Sequence, residues 1–262
     1  MKILHIIFWF CLSLSFLQIA NAQPKDYAEN AKQEIIFSGD YWCPYNCEPN
    51  SEYEGYMVDI LKAIFDAEGY SVKYQLSNWS RALKETRSGR FHGVIGALKG
   101  DAPDFLYHKT ALGQSSTSIW AHKKTNITYK QLSDLDPFTI GISQDYSYGK
   151  TTDTYLAQQP KNKVSALSGL EPLNRNIQRL KNRIDVLLED ESVMLHHLKQ
   201  SPNTLPIKLA GIICSEDVFV ALSPVNPNAK RYAKIIDEGI EKLRTSGALA
   251  SILARYGLTD WH

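Results

Sequence analysis

Residues 35–65 constrain the fold more than any other stretch of the chain. Residues 35–37 form a short apolar strand, and the loop that follows carries Tyr41, Trp42 and Tyr45. After Gly55, the residues Met57, Ile60, Leu61, Ile64 and Phe65 recur at spacings of three and four, which predicts a helix with one apolar face. A strand that hands aromatic side chains to a loop just before a helix begins is how open α/β sheets build ligand crevices. Tyr41, Trp42 and Tyr45 are therefore candidates to stack on the apolar or cationic part of a ligand. Packing against the helix is the plainer use for one or two of them.

The rest of the chain extends this pattern. Residues 71–76 alternate as a strand, Trp79–Arg87 reads as a short helix, and residues 94–98 and 115–121 read as strands. This β-α-β-α-β series predicts a mostly parallel sheet with helices on its faces. A second set begins near residue 125. It has strands at residues 138–142, Val164–Leu167 and 184–188, and helices at residues 150–157 and 170–180 and through Lys199. Residues 205–213 and 218–222 are expected as two further strands, and helices over residues 228–244 and 247–256 close the chain. A chain of 262 residues without repeats or a long linker has room for two lobes with separate cores. The expected division is residues 23–120 with 215–262 as one lobe and 121–214 as the other, hinged near residues 119–125 and 208–216.

The N-terminus points outward from the cell. Lys2, the apolar run from Ile3 to Ala20, and Ala20-Asn21-Ala22 describe a secretory signal peptide cut after Ala22. Cys11 lies inside the run, which argues against lipoprotein processing. Cleavage removes Lys2 and no acid, so 29 basic and 28 acidic residues become 28 and 28. No basic field exists to attract nucleic acid or anionic lipid. In an oxidising compartment, Cys43 and Cys47 are close enough in sequence to pair and stiffen the aromatic loop, by roughly 2 kcal/mol in the chain-entropy model. A zinc site is the sharper alternative, but a lone C-x3-C without a second ligand pair is a weak signal. Cys214 reads as a small buried hydrophobe.

Chemistry-bearing residues cluster at the ends of the expected strands. Trp79 begins a helix after the second strand, with Arg81 beside it on the expected surface. In the loop Ser143-Gln144-Asp145-Tyr146-Ser147-Tyr148-Gly149, free N–H groups ahead of a helix suit an anionic group, and capping by Asp145 or Ser147 is compatible with that. Glu189, Asp190 and Glu191 at a strand end are either ligand acceptors or a helix N-terminal charge cluster, and Asp190 alone is the candidate ligand acceptor. His196 and His197 lack ligand-spaced partners. Catalytic signatures are thin: Gly141-Ile142-Ser143-Gln144-Asp145 misses the nucleophile elbow at its last position, and no dinucleotide or P-loop fingerprint exists. No metal site or cofactor is expected.

In order and spacing, the segments G-Y-M-V-D-I-L-K-A-I (55–64), N-W-S-R-A-L-K-E-T-R-S-G-R-F (78–91), T-I-G-I-S-Q-D-Y-S-Y-G (139–149), R-I-D-V-L-L-E-D (183–190) and L-R-T-S-G-A-L-A-S-I-L-A-R-Y-G (243–257) resemble the extracytoplasmic solute-binding proteins of amino-acid-type transporters. The resemblance implies a two-lobed α/β fold of the type II periplasmic binding protein kind, with mixed sheets and helices on both faces, closing over a small ligand by hinge bending. It also implies a monomer in the periplasm, with a membrane permease or a membrane sensor as partner. Amino-acid binders of this family usually place an arginine after the third strand to clamp the ligand's carboxylate. Here that segment is L-K-G-D-A-P-D-F-L-Y-H (98–108), and Lys99 is its one candidate cation near the expected site. Asp190 matches the family position that takes an ammonium. A cationic or neutral polar ligand therefore fits at least as well as an α-amino acid. The expected contacts are Tyr41, Trp42, Tyr45, Trp79, Lys99, Gln114, Gln144, Tyr146, Ser147, Tyr148 and Asp190. Some proteins of this fold are dehydratases that act on cyclic precursors of aromatic amino acids; that reading would need Glu189 as acid and Lys99 as clamp.

Overall fold

The computed structural model describes residues 32–201 and 205–262, so the expected signal peptide lies outside the described residues. The chain begins with β1 (Gln33–Gly39), α1 (Tyr56–Ala67), β2 (Tyr70–Leu76), α2 (Trp79–Arg87), β3 (Gly93–Ala97), β4 (Leu106–Tyr107) and the long β5 (Gly113–His122). After a 3-10 turn at Leu132–Leu135 come β6 (Ile140–Ser143), α3 (Lys150–Gln158), β7 (Val164–Leu167), α4 (Pro172–Arg179), β8 (Val186–Asp190) and α5 (Glu191–Gln200). The last elements are β9 (Ile207–Leu222), α6 (Ala229–Thr245) and α7 (Ala248–Arg255).

Local sequence explains the helices that frame the site. Asn78 accepts a hydrogen bond from the Arg81 N–H at 2.9 Å and so caps α2, whose Trp79, Ala82 and Leu83 face inward. α1 buries Met57, Val58, Ile60, Leu61, Ile64 and Phe65 against β1 and α6. Gly55 starts it at φ +106°, where a Cβ would sit 2.4 Å from the Tyr45 carbonyl oxygen, so that only glycine fits between the helix and the aromatic loop. The loop itself is tied down by the Cys43–Cys47 disulfide, which realises the expected pairing.

The strands run in the order β2-β1-β3-β9-β5-β8-β6-β7. β1 is parallel to β2 and β3, and β6 is parallel to β7 and β8. The centre is antiparallel: β9 pairs that way with β3, β4 and β5, as β5 does with β8. The mostly parallel sheet expected from the element series is thus corrected to a mixed one. A crossover helix stands between β1 and β2, β2 and β3, β6 and β7, and β7 and β8, and these are the strands that run parallel, whereas the chain passes from β3 through β4 to β5 without one. The two strands expected at residues 205–213 and 218–222 are one. Ser215, Glu216 and Asp217 look like a polar break, yet they continue the ladder opposite Ser116, Ser115 and Gln114. β9 thereby serves both halves of the sheet. Its last four residues pair with β3 and β4, and the remainder with β5.

Candidate functional site

Four strand ends converge on one point. Asp40 directly follows β1, Leu98 and Asp101 follow β3, the loop to Gly149 follows β6, and Glu189 and Asp190 finish β8. These are carboxyl ends of parallel strands, where α/β sheets gather ligands. Between them lies a cavity of about 30 Å³, lined by Asp40, Asp101, Glu189 and Asp190, by Trp42, Trp79, Tyr146 and Tyr148, and by Gly96, Leu98, Ser115, Thr117 and Ser147. Its lining includes no lysine, arginine or histidine among the described residues.

Each of the four carboxylates is reached by a donor from the opposite half of the sheet. Tyr146, after β6, donates its hydroxyl to Asp40 Oδ2. The Ser147 N–H donates to Asp101 Oδ1 at 2.6 Å, while Asp101 Oδ2 accepts the Leu98 N–H at 2.6 Å. In the other direction, Trp42 Nε1 donates to Glu189 Oε1 at 3.2 Å. The Tyr45 hydroxyl lies 2.6 Å from the Gln114 carbonyl oxygen and 3.1 Å from Asp190 Oδ2. Asp190 Oδ2 also accepts from Ser115 Oγ and the Ser116 N–H, each at 2.9 Å. Asp190 Oδ1 caps α5 through the Val193 N–H at 2.9 Å. Helix capping and a place in the cavity therefore coexist in one side chain.

Burial dominates the electrostatics. It pushes the Asp101 and Glu189 carboxyls up to about 8 and that of Asp40 to about 6, against hydrogen bonds that favour the charged forms. Asp190 is raised too, by burial working against its bonds from Val193, Ser115, Ser116 and Tyr45. Repulsion from Asp40 adds to the shifts of both Asp101 and Glu189, and Asp190 repels Glu189. None of the ion pairs among the described residues involves these four acids.

Of the residues expected to meet a ligand, Trp42, Trp79, Tyr146, Ser147, Tyr148 and Asp190 line this cavity. Tyr45 stands directly behind it, stacked on Trp42 with ring centroids 4.0 Å apart. Four lie elsewhere. Tyr41 lines a surface groove with Glu171, His196 and His197. Gln114 is exposed, and so is Gln144, which bonds to the Asp145 carboxylate. Lys99 lies over the Phe219 ring, 4.6 Å from its centroid, in an adjoining cleft that shares Ser147 with this cavity and holds Lys150, Asp153 and Glu216. Lys99 and Glu189, which the dehydratase reading pairs, thus line different cavities.

Most of the N–H groups expected to be free in the loop after β6 are taken. Those of Ser143, Gln144, Ser147 and Tyr148 donate to the Tyr148 hydroxyl, the Leu167 carbonyl, Asp101 and Asp153 respectively. Capping of α3 by Asp145 or Ser147 is also corrected. Its N-cap residue is Gly149, without a side-chain bond, and Asp153 reaches back to the loop instead.

Asp40 and Asp101 were not singled out by the sequence. A carboxylate immediately after an apolar strand, as at Asp40, is the signal that would have found the first. For Asp101 the signal is weaker, because K-G-D-A-P-D reads as an ordinary solvated turn.

Solved structures share the fold. A histidine kinase sensor domain with similarity to periplasmic binding proteins superposes with a TM-score of 0.71 at 20% identity, covering 88% of this chain and 100% of that one. The arginine-, lysine-, histidine-binding protein ArtJ from Geobacillus stearothermophilus gives 0.72 at 16% identity, covering 88% and 97%. An ancestral arginine-binding protein bound to glutamine gives 0.69 at 18% identity, covering 85% and 97%. No curated protein matches the chain. At these identities the superpositions establish the two-lobed periplasmic binding protein fold. The family assignment comes from the sequence model for bacterial extracellular solute-binding proteins, family 3, which matches residues 35–259. The chain belongs to that family of solute-binding proteins.

Proposed function

We propose that the cavity binds a small organic cation, and that the protein captures this ligand outside the cytoplasm and delivers it to a membrane permease. One observation carries the reading: four carboxylates, with Asp40, Glu189 and Asp190 buried and Asp101 partly so, line one cavity whose lining supplies no basic side chain. Buried charge is tolerated when it is paired, and a ligand cation is the partner such a set accepts best. Trp42, Trp79, Tyr146 and Tyr148 supply aromatic faces for the ligand's cationic and apolar parts. A volume of about 30 Å³ holds one water molecule, so an organic ligand enters only when the halves part. In this reading residues 23–120 with 215–262 move against residues 121–214, bending where β5 and β9 pass between them.

Export through a signal peptide cut after Ala22, and a monomer in the periplasm, complete the proposal. No helix among the described residues is long and apolar enough to cross a membrane. Binding without turnover is supported by the separation of Lys99 from Glu189, because the dehydratase reading needs both at one substrate. A sensor that docks its closed form on a membrane receptor is the second reading, supported by the kinase sensor-domain neighbour whose whole chain aligns.

A thermal-shift screen of amines, guanidines, α-amino acids, organic acids and nucleosides tests the ligand class, because a ligand of the native state raises the melting temperature with its excess over Kd. Cations should stand out. Stabilisation by organic acids alone would overturn the reading. Pull-down from membranes with and without the best ligand then separates a permease from a signalling receptor.

A further inference from the structure

We propose, resting on the reading that this cavity is the ligand site, that its ligand is a linear diamine or polyamine without a carboxylate. The four acids form a series that borders one cavity from two walls. Asp40 repels both Asp101 and Glu189, and Asp190 repels Glu189. Asp101 and Asp40 belong to the β1–β3 half, Glu189 and Asp190 to the end of β8. A single cation satisfies one part of such a series, whereas a ligand with a cation at each end satisfies both walls.

The donors now held by these carboxylates show what the ligand replaces. Asp40, Asp101, Glu189 and Asp190 take the Tyr146 hydroxyl, the Ser147 N–H, the Trp42 Nε1–H and the Ser115 hydroxyl. An alkylammonium group brings three N–H donors on one charge. Two such groups can take over these roles while the halves separate enough to admit a chain. The aromatic faces of Trp42, Trp79 and Tyr146 border the same space and suit the methylene spacer.

A carboxylate on the ligand finds no partner here. The lining has no basic side chain, and Lys99 sits on Phe219 in another cleft. Those N–H groups of the loop after β6 that belong to residues lining the cavity, Ser147 and Tyr148, already donate to Asp101 and Asp153. Such a group would be buried unpaired among four acids.

Matched pairs isolate this effect, since ornithine is 1,4-diaminobutane plus a carboxylate and lysine is 1,5-diaminopentane plus a carboxylate. Isothermal titration of the purified protein at pH 8 should show at least one diamine binding tenfold or more tighter than its amino acid, and tenfold tighter than 1-aminobutane. Glu189→Gln and Asp101→Asn, checked for folding by their melting curves, should each weaken diamine binding. Equal or tighter binding of lysine or ornithine would overturn the inference while leaving the organic-cation reading standing. Equal binding of 1-aminobutane would do the same. Failure of every amine, guanidine and amino acid to bind would overturn both.

Discussion

Raising the pH from 6.5 to 8 should destabilise the protein in the absence of added ligand. Asp101 and Glu189 hold their protons to about 8 in the folded chain, whereas an ordinary carboxyl loses its proton near 4. Between those values the folded state binds more protons than the unfolded state, so stability is largest at the acid end and falls as pH rises toward 8. Each group contributes up to about 1.4 kcal/mol per pH unit within its window. Two groups over 1.5 units near the top of the window lose roughly 3 kcal/mol at most, and about 2 kcal/mol once relaxation of the cleft relieves part of the repulsion. For a chain of this size that is a fall in Tm of about 4–8 °C.

The groups around the pair do not reverse the sign. Asp40, Asp190 and Glu216 are raised as well, and Tyr146 and Tyr148 stay neutral throughout, their hydroxyls raised by burial. Asp153, the remaining acid beside Asp101, adds repulsion of the same sense. His92, His108, His196 and His197 are lowered by burial, so their effect runs the other way; it is half spent at the ordinary imidazole value of 6.5 and fades by about pH 7.5, which trims the early part of the fall and leaves its sign. Differential scanning calorimetry at matched ionic strength reads the slope, and the Asp101→Asn/Glu189→Gln double variant should flatten it. A wild-type Tm that stays level or climbs over this interval would refute the reasoning, as would an unchanged slope in the double variant.

The same protons should leave when a cation binds. Titrations in buffers of different ionisation enthalpy at pH 7 should report net proton release, and affinity should rise from pH 6.5 to 8. Gly55→Ala places a Cβ 2.4 Å from the Tyr45 carbonyl at φ +106°, and should cost about 2–3 kcal/mol by urea denaturation. Replacing Cys43 and Cys47 together by serine should cost about 2 kcal/mol on the same assay, and reducing agent should reproduce the loss in the wild type.

Legibility in the sequence followed the range of the interactions. α2 was readable to its ends, because Asn78 and the apolar spacing of Trp79, Ala82 and Leu83 act within a few residues. Asp190 was readable because it stands at the junction of an apolar strand and a helix and matches the family position that takes an ammonium. Asp40 and Asp101 were not. An aspartate in a loop looks solvated until a distant residue covers it, and Asp40 is covered by Tyr146, 106 positions away. Lys99 pointed to the site by position, yet β9 running beside β3 puts Phe219 under its ammonium and holds it in a different cleft. The continuity of β9 was hidden for a related reason. Ser215, Glu216 and Asp217 are polar because they line or border the cleft region, and pairing with β5 keeps them in the strand.

The central claim is that the four carboxylates bind an organic cation, and isothermal titration of the best amine or guanidine from the screen tests it most directly. Wild type, Asp40→Asn and Glu189→Gln would be compared at pH 8, where the carboxylates carry most of their charge. Each substitution should weaken binding tenfold or more while the Tm without ligand holds or rises, because a buried repulsion has been removed. Affinity unchanged in both variants would contradict the account and move the binding site out of this cavity.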